Sequence, residues 1–288
     1  MRSSTPAPPS AVTVRRGERS VGGLVWSGPG PTVVLLHPNG FCAGVFEPLA
    51  ARLAGQALVV AVDLPGHGTS SVPEDWSFIS AADDVWALLD DLGLERPIVV
   101  GASLGGAVGV LLDAVRPGRV QQLVLAEPLA VPREPPGGGE LAGGEVSAAR
   151  ARRRRDGWAD RAEASGAFAG RPPFVTLDPA VVDAYLEHGL VDDGVGGLQL
   201  ACRPETEASW FESTWRPGGG PRAWDHLAQL SCPTRVLAGA TSHLPRPWFD
   251  AIATEAGTLL EMVDGGHLFL FENTDAAAGL LHGVLLEP

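Results

Sequence analysis

The sequence predicts an α/β fold, a mostly parallel eight-stranded sheet with helices on both faces. Three observations point to it. Short continuous apolar runs alternate with stretches of helical spacing, and a strand without polar alternation is one buried on both faces. A Gly-x-Ser-x-Gly turn joins one such run to a helix-forming stretch. Late in the chain the alternation is interrupted for about a hundred residues, where one crossover helix needs only a dozen or two.

Taken in order, residues 1–10 are rich in Pro, Ser and Ala and read as a flexible tail. Val12–Arg16 and Val21–Trp26 read as two short strands joined by a turn at Gly17. Thr32–His37 is an apolar run between Pro31 and Pro38, and Val45–Leu53 has helical spacing that stops at Gly55. Leu58–Val62 is the next buried strand, closed by the turn-rich Asp63–Gly68. Ser80 is expected to cap a helix running to Leu92, with Gly93 at its end. Ile98–Val100 is a strand and Leu104–Val115 a helix; Leu123–Ala126, Val236–Ala238 and Leu259–Val263 complete the eight strands. The long gap holds helical patterns near Val146–Trp158 and Pro179–Leu190, with Pro/Gly-rich stretches at Pro132–Gly144 and Pro217–Pro221. It reads as a helical insertion over the sheet edge, giving a core of residues 11–127 and 232–288 and an inserted unit of residues 128–231. Five arginines within Arg150–Arg155 would spread around a helix and present a solvated face.

Composition excludes several chemistries. The 288 residues carry 21 basic and 34 acidic side chains, a net charge of −13, and none of the basic residues is lysine. Without lysine there is no pyridoxal-phosphate Schiff base, no aldolase-type amine and no Walker A phosphate loop. The negative balance argues against a nucleic-acid partner. Cys42, Cys202 and Cys232 make no C-x-x-C pair, and the seven histidines show no metal-ligand spacing. No metal and no cofactor are expected. There is no signal-like apolar segment and no run of about 18 apolar residues. The expectation is a cytoplasmic protein, a monomer or homodimer, without a membrane partner and acting on a small molecule.

The strongest local motif is Gly101-Ala102-Ser103-Leu104-Gly105, entered by an apolar strand and left by an apolar helix. That context matters because a nucleophilic serine of this kind sits on a strained strand-to-helix turn, where side chains at the flanking glycines would clash. The helix that follows aims its first amides at the point where negative charge develops. A serine hydroxyl needs a base. His267, in Asp264-Gly265-Gly266-His267 after the last strand, would lie at the same edge of the sheet.

Together with His37-Pro38-Asn39-Gly40 after the third strand and Asp63-x-x-Gly66-x-Gly68-x-Ser70, these features resemble the α/β-hydrolase superfamily from Val12 to Pro288. The resemblance implies an α/β-hydrolase fold, a Ser–acid–His triad in chain order and a cap inserted after the sixth strand. The loop where many relatives carry the acid reads Gly239-Ala240-Thr241-Ser242-His243-Leu244-Pro245, with no carboxylate before Asp250. A second location, the end of the sixth strand, is used in some haloalkane dehalogenases and in zearalenone-type lactonases. Glu127 stands there, 24 residues after Ser103. Glu127 is therefore the expected acid, with Asp250 and Asp264 as alternatives. The oxyanion hole is expected to use the amide of Leu104 and, by resemblance, that of Asn39, since Pro38 has no N–H.

Phe41, Cys42, Leu129 and His243 flank these loops, and Trp158, Trp210 and Trp215 come from the insertion; all are candidate substrate-binding residues. The resemblance implies a cofactor-independent serine hydrolase acting on a carboxylic ester or lactone, and the large apolar side chains of the insertion point to a hydrophobic small molecule as its substrate. The alternatives are a non-hydrolytic lyase, cyclase or acyl transferase on the same fold, and a catalytically inactive small-molecule binder.

Overall fold

The computed structural model describes residues 8–132 and 144–286. Its first strands are β1 (Ser10–Arg16), β2 (Arg19–Trp26), β3 (Thr32–Leu36) and β4 (Leu58–Val62). The chain continues through β5 (Ile98–Ala102) and β6 (Gln122–Ala126). Three short strands follow, β7 (Gly157–Trp158), β8 (Leu190–Asp192) and β9 (Leu198–Leu200), before β10 (Thr234–Gly239) and β11 (Leu260–Val263). Eight of these form one sheet in the order β1-β2-β4-β3-β5-β6-β10-β11. β1 and β2 are antiparallel, β2 meets β4 antiparallel, and the remaining pairs are parallel.

The apolar runs become strands because each buries both faces. On β3, Val33 and Leu35 enter one core cluster and Val34 and Leu36 the other. α1 (Glu47–Leu53), α10 (Phe269–Glu272) and α11 (Thr274–Leu286) cover the first face. α2 (Phe78–Asp91), α3 (Leu104–Val115) and α9 (Arg246–Glu255) cover the second.

Sequence expectations are revised in four places. α2 is capped by Ser77, whose Oγ accepts from the Ser80 amide at 3.4 Å; Phe78 is fully buried and draws the first turn inward. β1 begins at Ser10, inside the expected tail; residues 1–7, like 133–143 of the Pro132–Gly144 stretch, lie outside the described residues. The helical pattern near Val146–Trp158 ends as α4 (Gly144–Arg152), and Trp158 lies in β7. The arginine run is not one solvated face. Arg152 pairs with Glu205 and Glu212 at 2.8 and 2.7 Å, whereas Arg154 is half-buried against Glu207.

The rest of the insertion comprises α5 (Arg161–Phe168), α6 (Pro179–His188), α7 (Pro204–Thr214), α8 (Gly220–Trp224) and the sheet β7-β9-β8. It packs on the loops that follow β3 and β4. Phe41 packs against Phe174, tilted, and Tyr185, edge-on, with ring centroids 6.3 and 5.5 Å away. Trp210 Nε1 donates to the Pro65 carbonyl at 3.0 Å.

Candidate active site

Ser103 stands between β5 and α3 with φ 54° and ψ −114°, a conformation that side-chain-bearing residues rarely hold. The glycines around it permit the turn. A Cβ on Gly105 would lie 2.2 Å from the Leu36 carbonyl oxygen, and one on Gly101 would lie 2.4 Å from the Gly105 oxygen. The missing side chains let the end of β3 press against the start of α3. The Ser103 amide donates to Ala126 O at 2.9 Å, and Leu129 N–H donates to Ser103 O at 3.0 Å.

One strand over, Glu127 leaves β6 with φ 46° and is completely buried. Its carboxylate is held from three sides. Gly239 N–H donates to Oε1 at 2.8 Å, Ser242 Oγ donates to Oε2 at 2.8 Å, and His267 Nδ1 lies 2.6 Å from Oε2. A carboxylate only accepts, so the His267 proton sits on Nδ1. The other nitrogen, Nε2, lies 3.2 Å from Ser103 Oγ and is free to accept its proton. The His267 loop reaches this place because Gly239 has no side chain: a Cβ there would lie 2.2 Å from Gly266 O. Gly266 N–H is in turn held by Glu272 at 2.8 Å.

Two histidines brace the neighbouring loops. His37 donates from Nδ1 to Pro38 O at 2.8 Å and accepts from the Leu64 amide at 3.0 Å. His67 donates to Pro65 O at 3.1 Å and accepts from the Gly40 amide at 3.1 Å. Burial pushes His37 down to about 4; burial and the nearby His37 push His67 down to about 3. Both are fixed as neutral linchpins. With the Gly40 amide engaged, the Asn39 N–H has no protein acceptor among the described residues, and the same holds for the Leu104 N–H in the first turn of α3.

The other expected site residues divide. His243 is exposed at the rim, its ring 5.5 Å from that of His267 and edge-on to it. Leu129 is half-buried beside Ser103. Phe41 and Cys42 are buried in the apolar cluster under α6. Trp158 is buried against Phe168 and its Nε1 has no hydrogen-bond partner among the described residues. Trp210 packs against Trp76 and Phe78, and the half-buried Trp215 against Trp248. None of the described contacts of these tryptophans is with Ser103, His267 or Glu127. Asp250 is exposed and 3.5 Å from Arg246, and Asp264 is exposed; neither contacts His267. Ser242 is the residue that sequence reasoning missed. One hydroxyl in a loop has no spacing signature, and only the pairing of β10 with β6 brings it to Glu127. No three His, Cys, Asp or Glu side chains come together as a metal site among the described residues, and no described helix is long and apolar enough to cross a membrane.

Comparison with known proteins agrees with this architecture. An esterase of Mycobacterium tuberculosis is 36% identical over 110 residues, which is 38% of this chain and 36% of the esterase. An uncharacterized Mycobacterium bovis protein is 37% identical over 100 residues, 34% of this chain and 29% of its own. The chain thus spans about a third of the length of these two relatives. The 3-oxoadipate enol-lactonase 1 of Acinetobacter baylyi is 25% identical over 210 residues, 73% of this chain and 71% of that protein. Among solved structures, E-2-(acetamidomethylene)succinate hydrolase superposes with a TM-score of 0.78 at 21% identity, covering 96% of this chain and 98% of that one. The family model described as the alpha/beta hydrolase family matches residues 33–280, from β3 through the Ser103 turn and the His267 loop, and the chain belongs to that family.

Proposed function

We propose that the protein is a cofactor-independent serine hydrolase that cleaves a carboxylic ester or lactone of a hydrophobic small molecule. The observation that carries this reading is His267, placed between Ser103 Oγ at 3.2 Å and Glu127 Oε2 at 2.6 Å. Ser103 Oγ attacks the substrate carbonyl as its proton passes to His267 Nε2. The carbonyl π electrons move to the oxygen, and the resulting oxyanion takes hydrogen bonds from the Asn39 and Leu104 amides. Collapse expels the alkoxide, which receives the Nε2 proton. Water, deprotonated by the same nitrogen, then attacks the acyl carbon, and Nε2 returns the proton to Ser103 Oγ as the acid leaves. Glu127 holds the Nδ1–H tautomer and stabilises the imidazolium, and each oxyanion donor contributes about 2.7–4 kcal/mol.

The names of the relatives, an esterase and an enol-lactonase, support ester or lactone chemistry. The aromatic cluster by which Phe168, Phe174 and Tyr185 pack on Phe41 of the core supports a cap role for residues 128–231. The test is labelling by a fluorophosphonate, followed by turnover of graded esters and lactones in ¹⁸O-labelled water. The reading expects a label that disappears in Ser103→Ala and one ¹⁸O in each acid released. Labelling without ¹⁸O incorporation would mean a transferase, lyase or cyclase, and no labelling at all a binding protein.

A further inference from the structure

A buried ion pair lies beside the Asn39 loop, outside the proposed reaction. Arg154, two residues past α4, pairs with Glu207 of α7 and lies 3.5 Å from the Tyr185 hydroxyl on α6. Glu207 and Tyr185 are buried and Arg154 half-buried. Burial holds the Glu207 carboxyl above its ordinary value although Arg154 pulls the other way.

All three side chains come from the insertion, and they close on two residues of the core. A Cβ on Gly40 would lie 3.0 Å from Glu207 Oε1 and 3.3 Å from Arg154 Nη1. Tyr185 Oη donates to Gly40 O at 3.3 Å, and Asn39 Nδ2 donates to the Glu207 backbone carbonyl at 2.9 Å. From the core side, His67 takes the Gly40 amide at 3.1 Å. Asn39 and Gly40, the two residues that follow the Pro38–Asn39 peptide, are therefore held from both sides: His67 takes the Gly40 N–H, and the insertion takes the Gly40 carbonyl and the Asn39 side chain.

An ion pair removed from water gains little or no net stability over apolar residues of the same size. An amide aimed at a developing oxyanion, by contrast, acts only if it is fixed beforehand. We infer that Arg154, Tyr185 and Glu207 are positioning residues that set the Asn39 amide, so that seating the insertion completes the oxyanion hole. The inference rests on the serine-hydrolase reading. Displacing this cluster leaves Ser103, His267 and Glu127 in contact while one oxyanion donor is lost.

The experiment uses the full chain, p-nitrophenyl butyrate and a fluorophosphonate on Tyr185→Phe and on the double variant Arg154→Met/Glu207→Gln. The double change removes both charges together, so neither is left buried alone. Losing a whole oxyanion donor costs about 10²–10³ in kcat, and loosening one is expected to cost about 10-fold or more. The expected result is that loss in kcat, KM within about twofold, phosphonylation slowed by the same factor, and an unshifted thermal midpoint. Native kcat in Tyr185→Phe overturns the inference, as does a loss confined to thermal stability. If the double variant does not fold, Tyr185→Phe decides. Ser103→Ala separates the two levels. Residual turnover and labelling in that variant defeat the hydrolase reading itself, whereas an inert Ser103→Ala beside an unimpaired Tyr185→Phe defeats only the positioning role.

Discussion

Ser242 Oγ donates to Glu127 Oε2 at 2.8 Å, the same oxygen that faces His267 Nδ1 at 2.6 Å. The hydroxyl comes from the loop after β10 and the carboxylate from the end of β6, so two adjacent strands share one hydrogen-bonding centre. A hydrogen bond to a charged group is worth about 1.5–3 kcal/mol. Ser242→Ala is expected to lower kcat about 10- to 100-fold with little change in KM, and Ser242→Thr to retain most activity. Steady-state kinetics on both variants check this, and equal losses in the two would reject it.

Glu127 is the carboxylate in contact with His267, and Asp250 and Asp264 are not. Glu127→Gln preserves shape but offers an amide where the imidazole needs an acceptor, and is expected to cost about 10⁴ in kcat. Asp250→Asn and Asp264→Asn are expected to stay within about threefold of the native enzyme, since exposed groups away from the reacting atoms change little. Side-by-side kcat values decide the assignment.

The two neutral histidines make stability depend on pH. Unfolded histidine titrates near about 6.5, whereas in the folded chain burial sets His37 at about 4 and His67 at about 3. Above about pH 6.5 both states are neutral and the full stability is present. Below it the unfolded chain binds protons that the native chain refuses, so stability falls with falling pH down to the folded values. The slope is about 1.4 kcal/mol per pH unit for each histidine. Urea unfolding between pH 7.5 and 4.5 should show this slope, and His67→Gln should remove about one histidine's share. A flat profile in the native protein would contradict the buried neutral state.

Two glycines of α3 are expected to respond in opposite directions to alanine. At Gly105 the added Cβ meets Leu36 O at 2.2 Å, a backbone atom that cannot move aside. Gly105→Ala should destabilise the fold by about 3 kcal/mol or more. At Gly109 the nearest atom is 3.5 Å away, ordinary contact. Gly109→Ala should stabilise the helix by up to about 1 kcal/mol. Denaturant midpoints of the two variants provide the comparison.

Much of the fold was legible because a strand buried on both faces must be apolar along its buried length, and β4, β5 and, past Thr32 and Gln122 at their starts, β3 and β6 are. Ser103, His267 and Glu127 could be picked out because each follows a strand whose end is marked in the sequence. The insertion was harder to read. β7, β8 and β9 have two or three residues each, too few for any alternation to register. Trp210 and Trp158 are equally apolar whether they line a pocket or fill a core, and only tertiary packing sends Trp210 toward Trp76. The burial of Arg154 depends on Glu207, 53 residues away, which no local pattern announces.

Ser103 and Glu127 each follow directly on one of two paired residues, Ala102 of β5 and Ala126 of β6. Their separation is dictated by the parallel ladder itself, whose strands run about 4.8 Å apart. His267, by contrast, is carried on the loop after the edge strand β11, which plays no part in setting the spacing of its two partners. Placing the imidazole thus asks for one loop to be set correctly, with the nucleophile and the acid already in register.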